Sequence, residues 1–160
     1  MAALLVGHDA SSIAPLLAPC PEPKAAPSRP LPDMNTHPHR GEPILRVVPR
    51  PGDINANGHI FGGWVLSQMD IAAGIVASRE AEGPVATVAI ETMEFNAPIL
   101  LHDLISVYAH VERIGRTSIA IKIEVIATRD RGREEVKVTN GLFTFVALDE
   151  NHRPRPVKRG

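Results

Sequence analysis

One segment constrains this chain more than any other. Of the 17 residues Phe61–Ala77, 11 are apolar, and on a helix they cover most of the circumference. A surface helix carries its apolar residues as a stripe; a helix apolar nearly all round is expected to be enclosed by other elements. The spacing predicts a helix over 61–78, stopped by Glu82-Gly83-Pro84.

What encloses it can be read on either side. Ile44–Val48 reads as a short strand ended by Pro49 and Pro51. Four longer strand-like runs follow the helix: Val85–Phe95, Leu104–Arg113, Thr117–Thr128 and Glu135–Leu148. Ile105, Val107, Ala109 and Val111 alternate with Ser106, Tyr108, His110 and Glu112; Ile119, Ile121, Ile123, Val125 and Ala127 repeat the period of two. Short connections at Ile114-Gly115-Arg116 and around Asp130–Arg133 suit antiparallel neighbours. The expected fold class is α+β: one long central helix wrapped by a curved antiparallel sheet of about five strands. Such a sheet covers only one side of the helix and leaves an open edge. A homodimer that continues the sheet across two subunits is therefore expected, with a higher assembly as its extension.

The 160 residues are 44% apolar with a net charge of −1, so a single domain with its own core is expected and a general nucleic-acid binder is not. No apolar run is long enough for a membrane span. Cys20 is the only cysteine, so neither a disulfide framework nor a multi-cysteine metal site is expected. Eight of the 15 prolines and no aromatic fall in residues 1–40, so segment 1–41 is read as a disordered or loosely attached extension, with Met34 as an alternative start. No basic residue precedes Lys24, and Pro19 stands where a lipoprotein cleavage site wants a small residue, so a cytoplasmic location is expected. The domain proper is read as 42–150 and residues 151–160 as a basic tail.

Two features point to chemistry. Gly63, Ser67, Asp70, Gly74 and Ser78 share one helix face, which lacks the Lys, Arg and Glu of a solvated face. It is either a contact face or groove, or plainly exposed. Asp70 is its one carboxylate. Before the helix, Asn55, Asn57 and Gly58 suit a tight turn and an N-cap. Gly62 and Gly63 then fall in the first helical turn, where propensity argues against them. Bare backbone there lets a ligand reach free N–H groups at the positive end of the helix dipole, which can stabilise an oxyanion. A tight packing contact would equally use glycine. His59, beside them, is either a base near neutral pH or a partly solvated imidazole. No nucleophile-elbow motif is present, so a nucleophilic triad is not expected.

The run NANGHIFGGWVLSQMDIAAGI resembles the signature of hotdog-fold acyl-CoA thioesterases, in particular the YciA-like branch. The likeness continues through VATVAIETMEFNAPI and VERIGRTSIAIKIEV into TNGLFTFVALDENHRPRPV, roughly residues 42–157. It implies a hotdog fold, paired dimers with active sites between subunits, often as trimers of dimers, and hydrolysis of acyl-CoA to CoA and a carboxylic acid without metal or separate cofactor. Asn55 and Gly58 match the family's Asn-x-x-Gly. Gly62 and Gly63 match the glycines whose backbone N–H polarises the thioester carbonyl. Asp70 matches a helix aspartate that serves as base or nucleophile. The branch usually reads NANGD, with that loop aspartate as the catalytic carboxylate; here the position is His59. His59 and Asp70 are therefore both candidates for the base. Phe61, beside the glycines, is a candidate substrate contact, and Arg116, Thr117 and Ser118 in the RIGRTS turn correspond to a segment near the CoA tunnel. The rival readings are a non-catalytic acyl-CoA sensor and, less favoured because its usual histidine motifs are absent, a hotdog enoyl-CoA hydratase or dehydratase.

Overall fold

The structure, a computed structural model, describes residues 41–157. The proline-rich leading segment to residue 40, Met34 within it, and residues 158–160 lie outside the described residues. Strand β1 (Leu45–Val47) is followed by a 3-10 turn at Pro51–Asp53 and helix α1 (Gly62–Ala81). Then come β2 (Val85–Phe95), β3 (Leu104–Ile114), β4 (Ser118–Arg129) and β5 (Glu134–Ala147). All pairs are antiparallel, and the sheet order is β1-β3-β4-β5-β2. Every strand expected from the alternation is present within two residues of its expected bounds.

The helix runs three residues beyond the expected end. Glu82 then adopts the left-handed conformation (φ 48°), and its N–H and that of Gly83 close on the carbonyls of Arg79 and Ser78. Val65, Met69, Ala72, Ala73, Ala77 and Ala81 are its buried residues, a stripe at steps of three and four. Alanines on that stripe let the helix approach the concave side of the sheet, where Ile105, Val107, Ile119, Ile121, Ile123, Val125, Phe143 and Phe145 are buried. The helix touches all four long strands.

As expected of a sheet of five strands, a single chain encloses only one face of the helix. Ile71 is 50% exposed, because one sheet has one concave side. The same exposure continues on β2, an edge strand carrying Val88, Ile90 and Phe95 at 57%, 45% and 59%. An edge with free ladder groups and large apolar side chains is a ready site for pairing with another chain. None of the described helices is long and apolar enough to cross a membrane.

Residues 151–157, read as a basic tail, are fastened to the domain. Arg155 donates from Nη2 to the Ala81 carbonyl (2.7 Å) and from Nε to the Leu148 carbonyl (2.9 Å). Val157 is buried, and its N–H bonds the Arg116 carbonyl at 2.9 Å. Arg155 thus satisfies a carbonyl at the C-terminal end of α1, where a cation also complements the helix dipole.

Candidate active site

The loop before α1 folds around one side chain. Asn55 Oδ1 accepts the N–H of Asn57 (2.9 Å) and of His59 (3.2 Å). The Asn55 N–H bonds the His59 carbonyl at 2.7 Å, and the Gly58 N–H bonds the Asn55 carbonyl at 3.0 Å. This closed turn needs a left-handed residue, and Gly58 supplies it at φ 80°. Asn55 and Gly58 therefore shape the loop that presents His59. The Asn55 Nδ2 and the imidazole of His59 have no hydrogen-bond partner among the described residues.

Phe61 is the residue before the helix and provides no side-chain cap. Its N–H goes to the Asp53 carbonyl at 2.8 Å, and its carbonyl accepts the Trp64 N–H at 3.0 Å. The N–H groups of Gly62 and Gly63 have no acceptor among the described residues. The two glycines face different neighbours. A Cβ on Gly63 would lie 2.5 Å from the Phe61 ring, so Gly63 answers to a packing contact. A Cβ on Gly62 would meet the Phe95 ring at 3.4 Å.

Gly62 lines a cavity of about 420 Å³ with Asn55, His59, Val65, Phe95 and the segment 96–99. Val138 and Thr139 form its floor. Both sit beside a bulge in β5, and the Val138 carbonyl accepts the Asn96 N–H at 2.8 Å. The cavity thus joins apolar walls to an imidazole, an amide and an uncommitted helix N-terminal N–H, an arrangement able to hold an acyl group and polarise its carbonyl.

Other candidates lie elsewhere in the protomer. Asp70 is eight residues along α1 from Gly62, about 12 Å at 1.5 Å per residue. It is exposed, and its Oδ1 accepts a 2.6 Å hydrogen bond from Thr87 Oγ1 on β2. Within one chain Asp70 and His59 do not share the cavity. Arg116, Thr117 and Ser118 form the β3–β4 turn, closed by a 2.7 Å bond from the Gly115 N–H to the Ser118 carbonyl. The Thr117 carbonyl accepts the Ala147 N–H, which puts the turn at the C-terminal end of α1, opposite the cavity. Two features escaped sequence reading. Thr87 could have been noticed as a hydroxyl in an otherwise apolar run, but its alignment with Asp70 depends on helix-to-strand register. The wall 96–99 carries no chemical signal beyond a proline.

The thioesterase superfamily model matches residues 57–133. An uncharacterized acyl-CoA thioester hydrolase of Haemophilus influenzae is 44% identical over 131 residues, covering 79% of this chain and 84% of that protein. Acyl-CoA thioester hydrolase YciA of Salmonella typhimurium is 44% identical over 122 residues, covering 74% and 91%. The crystal structure of a hexameric thioesterase from Yersinia pestis superposes with a TM-score of 0.71 at 42% identity, covering 75% of this chain and 98% of that one.

Proposed function

Because the chain belongs to the thioesterase superfamily, we propose that it hydrolyses acyl-CoA thioesters to free CoA and a carboxylic acid. The observation that carries this reading is the Gly62 N–H at the start of a 20-residue helix, without an acceptor among the described residues, at a cavity that Gly62 lines together with His59.

In the reaction, the thioester carbonyl points at the Gly62 N–H. A base removes a proton from water as the water oxygen bonds to the carbonyl carbon. The tetrahedral oxyanion is stabilised by the N–H and the helix dipole. Collapse expels the CoA sulfur, which takes the proton back from the base. His59 and Asp70 share the base role across a subunit seam. The open β2 edge supports that seam. If β2 pairs antiparallel with its own copy about its midpoint, Ile90, then Thr87 of one chain falls opposite Met93 of the other, two residues from Phe95 on the cavity rim. The partner subunit's Asp70, held by its threonine, then approaches this cavity. The same symmetry carries the partner subunit's Arg116 toward the cavity end of the molecule, where Arg116, Thr117 and Ser118 would serve the CoA phosphates.

The working unit is a homodimer, and the hexameric relative supports a trimer of dimers. We place the protein in the cytoplasm, where acyl-CoA is made and used. The test is free-thiol release from acyl-CoAs of graded chain length. Wild type should release CoA; no release from any chain length would overturn the reading.

A further inference from the structure

We infer that the buried Asp103–Arg129 pair is a positioning device for the acyl-side wall of the cavity, and through it a determinant of which acyl chains the site accepts. The inference rests on the thioesterase reading above.

Asp103 is 2% exposed and lies just before β3. Both of its carboxylate oxygens accept Arg129 Nε at 3.1 Å, and Oδ2 also accepts the Leu100 N–H at 2.8 Å. Arg129, at the end of β4, donates from Nη2 to the Pro98 carbonyl. One ion pair therefore holds the carbonyl before Ile99 and the N–H after it. The Ile99 carbonyl is taken by the Ile60 N–H at 3.0 Å. Pro98 and Ile99 line the cavity, Ile99 is 4% exposed, and Ile60 follows His59.

Here one arm of the guanidinium neutralises a buried carboxylate and the other fixes a wall carbonyl, the planar fork for which arginine differs from lysine. The bonds to 98 and 100 leave Ile99 little freedom to retreat from a longer chain. An apolar wall discriminates by fit, and one methylene of misfit is worth roughly tenfold or more in kcat/KM.

The experiment compares kcat/KM for short, medium and long acyl-CoAs in wild type, Arg129→Lys, Asp103→Asn and Ile99→Ala, with melting temperatures alongside. Arg129→Lys keeps a charge beside Asp103 but loses the second arm. It should fold and change the long-to-short ratio by about tenfold, with the ratio moving in the same direction in Ile99→Ala. A ratio unchanged from wild type in Arg129→Lys, with a lowered melting temperature, would make the pair purely structural and overturn the inference. If both pair variants fail to fold, Ile99→Ala decides: an unaltered ratio there removes the wall from acyl recognition. Absence of activity in wild type would instead defeat the thioesterase reading.

Discussion

The Thr87 hydroxyl lies 2.6 Å from Asp70 Oδ1 and donates to it. This bond ties the middle of the helix to the edge strand and fixes the direction of the one carboxylate on that helix face. If Asp70 acts on substrate held by the neighbouring chain, Thr87 aims it. Asp70→Asn should lower kcat by about 10²–10⁴-fold, the range for a lost general base. Thr87→Val should lower kcat with little change in KM, and Thr87→Ser should restore it. Steady-state thiol release checks all three, and equal loss in Thr87→Ser and Thr87→Val would refute the aiming role.

His59 lines the cavity, and its imidazole has no hydrogen-bond partner among the described residues. His59→Ala should slow turnover by about 10²–10⁴-fold, the range for a lost general base, and steady-state thiol release with one substrate decides it. If His59→Ala and Asp70→Ala both keep near wild-type turnover, neither is the base.

The two glycines should separate. Gly63→Ala puts a methyl against the ring tip of Phe61, which is 58% exposed and free to turn aside, so it should keep a urea midpoint near wild type and slow turnover less than a change at Gly62. Gly62→Ala meets the Phe95 ring at ordinary van der Waals distance. It should fold nearly as well but slow turnover, since its methyl stands beside the N–H proposed to receive the carbonyl. Similar losses in both would argue against distinct roles.

Arg155 should matter for stability alone. Arg155→Met removes charge-assisted bonds to Ala81 and Leu148 and should cost roughly 2 kcal/mol. Amide exchange at Glu82 and Gly83 should rise while kcat/KM stays within about twofold of wild type.

The open edge of β2 gives the last test. Ile90→Lys places a charge at the midpoint of the expected seam, so light scattering should detect smaller species and activity should fall with dissociation. A monomer with full activity would show that one chain holds the complete site.

The strands and the helix were legible because their periodicities are local. Ile119 through Ala127 alternate in the sequence as they do in the sheet, and Glu82-Gly83-Pro84 ends the helix where it is written. The loop was legible in part: Asn55 and Gly58 announce a tight turn by residue type. The apolar circumference of α1 announced enclosure, and the strand runs announced the sheet that covers one of its faces; Ile71, 50% exposed, lies on the other.

What local chemistry determined, then, is the order of elements, the turn before the helix and the two bare backbone positions at its start. Only the tertiary structure decided that Gly62 faces the cavity while Gly63 lies under Phe61. It also set Asp70 against Thr87 and away from His59, and turned Arg155 inward to the end of the helix. Those outcomes depend on the rotation of the helix against the sheet and on bulges in β2 and β5, which arise from packing between residues far apart in the chain and leave no period in the sequence.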